Sequence, residues 1–144
     1  MTRPLLLTLL LMIWPFTSFG SDWESEASET EIGVHVLSNF GEEQHLVSST
    51  ISKQTIRDAL RSLDWVNGFH QVVVVTSRGV SMEVGGSLDP EHGLSAMYRS
   101  RADRVDAVIL NPPETVEEME NILLSFIGKD DSWRQDYEFT FRHY

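Results

Sequence analysis

No cysteine occurs anywhere in the 144 residues. Disulfides, thiolate metal sites and a cysteine nucleophile are thereby excluded, and stability has to come from packing. Basic side chains are scarce as well: 11 Lys and Arg stand against 22 Asp and Glu, a formal charge of −11. A nucleic-acid groove needs clustered cations to neutralise phosphates, so that class of partner is excluded too. Acidity at this level serves solubility, and it also steers a basic protein partner. Catalytic signatures are missing: the sequence holds no G-x-S-x-G elbow, no H-E-x-x-H, no phosphate loop and no dinucleotide fingerprint. No cofactor is expected. Nor does any apolar run reach the roughly 20 residues that a membrane-spanning helix requires.

The longest apolar run instead has the form of a secretory signal. One base, Arg3, precedes it, and it extends over 5–16 with Thr8 and Pro15 as its only interruptions. Ser18 and Gly20 then supply small side chains at −3 and −1 of a cleavage site before Ser21. The expectation is an exported chain, periplasmic or extracellular, with no membrane attachment once residues 1–20 are removed. Their removal takes away one base and no acid, leaving 10 basic and 22 acidic side chains and a formal charge of −12. The remaining 124 residues suffice for one domain with its own core.

Residues 21–31 (SDWESEASETE) are acidic and hold little that is apolar beyond Trp23. They read as a flexible leader that cannot offset its ordering entropy, so the domain is expected over 32–144. Ile32, Val34 and Val36 alternate as in a half-buried strand. The turn Asn39-Phe40-Gly41-Glu42 and a short strand over 44–48 complete a hairpin. Ser52 reads as the N-cap of a helix with Ile56, Ala59, Leu60 and Leu63 on one face. The run Val72-Val73-Val74-Val75 suits a central strand covered on both sides. Val80, Met82 and Val84 mark a strand buried on one side, and 94–98 and 104–110 give two more. Thr115-Val116-Glu117-Glu118 fits a capping box for a helix with Met119, Leu123 and Phe126 inward and Gly128 at its C′ position. Tyr137, Phe139 and Phe141 alternate in a final strand. The order β-β-α-β-β-β-β-α-β predicts an α+β domain: a mainly antiparallel sheet of six to seven strands with two helices on one face.

Few residues point to chemistry. Asp89, Glu91 and His92 share one loop, as an oxygen-rich metal site or an acid–base pair would, but turn chemistry around Asp89-Pro90 alone predicts such a cluster and is the preferred reading. His35 and His45 are expected to face each other across the hairpin, too few ligands for a tetrahedral zinc. No catalytic and no metal-binding residue is assigned. Trp133 and Tyr137 read as rings packed over the sheet, or as anchors for a partner.

From Ser52 onward the order of pieces resembles the Imm1-type immunity family associated with bacterial polymorphic toxin systems. The resemblance rests on the helix TIRDALRSLD, the strand FHQVVVVTSRG, the glycine-ended strand SMEVGGS, the helix TVEEMENILLSFIGKD and the aromatic tail that begins at Trp133. It implies a small non-enzymatic domain that neutralises a toxin by binding it. The chain departs from the family's pattern where Arg134 and Gln135, rather than a second tryptophan, follow Trp133, and in its export signal. The expected function is therefore an exported, non-catalytic binding protein, most concretely an immunity protein that occludes a basic toxin. Its contact candidates are Glu83, Asp89, Glu91, Trp133 and Tyr137. An envelope-associated domain is the alternative, with a small hydrolase using His92 beside Asp89 or Glu91 behind it.

Overall fold

The computed structural model describes residues 27–144, so the expected signal peptide (1–20) and residues 21–26 of the acidic leader lie outside the described residues. Seven strands form one sheet in the order β2-β1-β3-β4-β5-β6-β7. They are β1 Gly33–Ser38, β2 Glu43–Ser48, β3 His70–Ser77, β4 Val80–Gly86, β5 Leu94–Ser100, β6 Val105–Ile109 and β7 Phe139–His143. Every neighbouring pair is antiparallel. Short connections dictate this for β1–β2, β3–β4, β4–β5 and β5–β6, because a hairpin turn returns the chain beside the strand it has just left, whereas β1–β3 and β6–β7 pair across longer helical connections. The expected α+β architecture is the observed one.

The helices are α1 Ala27–Thr30, α2 Lys53–Arg61, α3 Val116–Phe126 and α4 Trp133–Asp136, with a 3-10 turn at Lys129–Asp131. Ser52 caps α2: its side chain accepts the Thr55 amide at 3.1 Å, and the Ser52 amide donates to Thr55 Oγ1 at 2.9 Å. Thr115 caps α3 by accepting the Glu118 amide at 3.1 Å. Glu118 reaches back one residue further than a capping box requires and accepts the Glu114 amide at 2.8 Å. Gly128 was expected to leave α3 in the left-handed conformation, but its φ is −70°. The left-handed turn falls on Asp130 and Asp131 instead. What Gly128 supplies is space, since a Cβ there would lie 3.1 Å from Ser132 Oγ and 3.2 Å from the Ser125 carbonyl oxygen.

One face of the sheet carries the main core. Val34, Val36, Val72, Val74, Met82, Val84, Ala96, Tyr98, Ala107 and Ile109 point from the strands toward Ile56, Ala59 and Leu60 of α2 and Met119, Ile122, Leu123 and Phe126 of α3. Their alternation is the strand period, and the helix residues follow the three-to-four spacing of an apolar stripe.

The second face is partly covered as well. Leu37, Val73 and Val75 form a smaller buried cluster there, and His35 is 1% exposed. β1 is thus buried on both sides, not half-buried as the alternation predicted. The cover is α1, which packs against β2, β3 and β4. These residues had been read as flexible leader. They are ordered by polar contacts that hydropathy does not register: the Glu29 carbonyl accepts the Gly79 amide at 3.0 Å, and the Glu29 carboxylate pairs with Arg99 at 2.5 Å. The His35 ring bonds the Glu31 carbonyl oxygen at 2.7 Å.

Candidate binding surface

Strand direction sorts the loops onto two ends. At one end lie 39–42, 62–69, 87–93, 110–115 and 137–138. These segments contain Glu42, Asp64, Asp89, Glu91, Glu114 and Glu138 and not one Lys or Arg. At the opposite end charge is mixed: the β3–β4 and β5–β6 turns carry Arg78, Arg101 and Arg104 beside Asp103, and Lys129 adjoins Asp130 and Asp131. The protein is therefore polarised along its strands, a property that composition alone hides.

An aromatic group stands out of the acidic end. Asn39, Phe40 and Gly41 are all left-handed, with φ of 52°, 57° and 85°. Asn and Gly accept that conformation readily, whereas a bulky side chain does so against steric resistance. The turn is closed by the Gly41 amide donating to the Ser38 carbonyl (3.0 Å) and the Glu42 amide to the Asn39 carbonyl (3.2 Å). Its result is to hold Phe40 outward, 68% exposed. One face of its ring stacks on Phe69, with centroids 5.2 Å apart and planes 12° from parallel. The Phe40 amide also donates to the Phe69 carbonyl at 3.2 Å. His92 stands edge-on to both rings, at 6.1 and 5.9 Å.

The acids beside this stack belong to the β4–β5 loop. Gly86, at φ 122°, lets the loop close on itself, because a Cβ there would come 2.1 Å from the Gly93 carbonyl oxygen. Asp89 Oδ1 accepts the Glu91 amide at 2.9 Å, and its carbonyl accepts the His92 and Gly93 amides at 3.0 Å. That is an Asx-type turn, and it leaves Asp89, Glu91 and His92 exposed with a polar atom of each within 4.8 Å of the others. The Leu88 amide donates to the Trp65 carbonyl at 2.7 Å and so ties this loop to the one preceding β3. In that preceding loop, the Asn67 side chain, followed by the Asn67 and Val66 amides, holds the Asp64 carboxyl below its ordinary pKa.

Of the five contact candidates read from the sequence, the structure brings Asp89 and Glu91 together at the acidic end, and Trp133 and Tyr137 together in the core, where the Tyr137 amide donates to the Trp133 carbonyl at 3.1 Å. Glu83 lies in mid-strand on the second sheet face, where Gln71 Nε2 donates to it. Its neighbour there is Arg99. Burial opposes the charge of that guanidinium, but Glu29, Glu83 and Asp106 together outweigh it and raise the Arg99 pKa. Trp133 is 1% exposed and packs among Tyr98, Phe126, Phe139 and Phe141. Its role as a contact anchor is thus corrected: an indole enclosed by four rings is core. Tyr137 is half-buried against the same core, and burial, aided by Asp136 and Glu118, raises its pKa. Phe40 and Phe69 were missed as candidates. The available signal was an aromatic between Asn and Gly in a turn, where turn chemistry has no need of one.

A groove of about 500 Å³ lies elsewhere, between α2 and α3, with Leu60, Val116 and Leu124 among its lining residues. Arg57 Nη2 pairs with Glu120 at 2.8 Å in it. Among the described residues, no helix is long and apolar enough to cross a membrane. No family model, curated protein or solved structure matches the chain.

Proposed function

We propose that this protein is a non-catalytic binding protein that takes a basic protein partner at the acidic end of its sheet. The observation that carries the reading is Phe40, an exposed ring held outward by a left-handed turn and backed by Phe69, in an end whose five loops hold acids and no Lys or Arg. Aromatic side chains seated on a rigid support are favoured hot spots, and like-signed charge around them steers a partner of opposite sign. Neutralisation of a basic toxin by occlusion is the concrete form of this reading. It needs a surface and no reaction chemistry. With the expected export signal, the encounter would take place outside the cytoplasm.

The test is affinity capture from the native organism at low salt, with wild-type protein and the triple variant F40A/D89N/E91Q as parallel baits. A basic protein held by the wild type, released by salt and missed by the variant supports the proposal. Equal capture by both baits would place binding elsewhere, and capture of envelope components alone would favour the envelope-associated alternative.

A further inference from the structure

The sheet ends in two edge strands of different character. Beside β2 the register with β1 shifts between Val34 and His35, and β2 opens with Glu43 next to Glu42. Bulges and edge charges are the usual means by which proteins discourage edge-to-edge pairing. β7 (FTFRH) lacks the bulge: its register with β6 is unbroken, it contains no proline or lysine, and its one arginine, Arg142, although 75% exposed, is committed to Asp106 at 2.7 Å.

The ladder shows which backbone groups β7 leaves open. The Tyr144 amide donates to the Arg104 carbonyl at 3.0 Å, and the Leu110 amide to the Glu138 carbonyl at 2.8 Å. In an antiparallel pair, residues that exchange such bonds alternate with residues that do not. Arg142 and Thr140 therefore face β6 with their backbone groups, while Phe139, Phe141 and His143 turn theirs away from the sheet. Phe139 and Phe141 keep their rings on Trp133, at 5.0 and 6.2 Å, so the strand is rigidly held while, among the described residues, no strand pairs with its outer edge.

We infer that β7 pairs antiparallel with β7 of a second copy, about a two-fold axis at Phe141. In that register Phe141 meets its own counterpart, and Phe139 meets His143 of the other copy, so the three outward residues find two-bond partners. On the opposite face Thr140 lies across from Arg142 of the second copy, and no like charges oppose one another. The sheet continues through the axis, and the Phe40 surface, at the β1–β2 turn on the far side of each sheet, stays free. This arrangement does not depend on the proposed partner.

Sedimentation equilibrium over a wide protein concentration range tests it, using protein produced from the full-length coding sequence. The expected mass rises with concentration to twice that of one chain. His143→Pro removes an outward donor without touching the β6 ladder and should abolish the rise. Thr140→Lys opposes Arg142 across the axis twice per dimer and should weaken association about tenfold; Thr140→Glu should strengthen it by a similar factor. A single-chain mass at every concentration overturns the inference, and so does a dimer indifferent to all three substitutions.

Discussion

The Phe40 ring lies against the Phe69 ring at 5.2 Å, and the Phe40 amide donates to the Phe69 carbonyl. The β1–β2 turn is thereby fastened to the segment that enters β3. A solvent-facing aromatic gains a fixed position without being buried, which lowers the ordering cost of using it in a contact.

Phe40→Asn separates binding from stability. The left-handed backbone costs an ordinary L residue roughly 1–2 kcal/mol, and loss of the ring stack costs about 0.5–1.5 kcal/mol, so the two nearly cancel. Urea denaturation is expected to place the variant within about 1 kcal/mol of the wild type while partner capture is lost. A much larger loss of stability would make Phe40 a structural residue.

Asp89→Asn with Glu91→Gln keeps the turn, because an amide oxygen at 89 still accepts the Glu91-position amide. Stability should stay within about 0.5 kcal/mol, as for other surface changes. Association with the captured partner should slow, and its dependence on ionic strength should flatten, in a stopped-flow or surface-binding measurement.

Trp133→Ala leaves a hole among four rings. Its expected cost is about 3–5 kcal/mol, in the range of large-to-small core substitutions. Trp133→Phe should recover much of that. Denaturation midpoints check both, and a mild effect of the alanine variant would contradict the core role assigned to the indole.

Glu29→Ala releases α1 from Arg99. The pair is only partly exposed, with side chains 13% and 27% accessible, so a loss of about 1–2 kcal/mol lies between the surface and buried limits. The sharper readout is hydrogen exchange at the Gly79 amide, which donates to the Glu29 carbonyl and should lose its protection. Unchanged protection would mean that α1 stays docked without its ion pair.

The Arg57–Glu120 pair makes stability depend on pH in a known direction. The hydrogen bond from Arg57 lowers the Glu120 pKa against an opposing effect of burial. A depressed carboxylate stabilises the fold fully above its ordinary value of 4.5, and the stabilisation disappears as pH falls through the lower folded value. Arg57→Gln should therefore be less stable than the wild type at neutral pH. The difference should shrink on acidification below 4.5, as followed by denaturation at a series of pH values.

Much of the architecture was legible in local pattern. Ser52 and Thr115 announce their helices because a cap uses residues three positions apart. Val72-Val73-Val74-Val75 announces a central strand because both of its faces need apolar cover. Short turns between strands make the sheet antiparallel. What pattern could not supply depends on residues distant in sequence. Glu29 orders α1 only because the β5 strand brings Arg99 beneath it, and a polar contact leaves no trace in hydropathy. Trp133 is core because α4 folds back over Tyr98 and the β7 rings, which decides between the two readings that the sequence left open, a ring packed over the sheet and an anchor for a partner. The acidic end exists because strand direction gathers five separate loops, and an edge strand is an edge only once the order of the whole sheet is known. Sequence periodicity is a property of neighbours along the chain. Surfaces and edges are properties of neighbours in space, and those were decided by the tertiary fold.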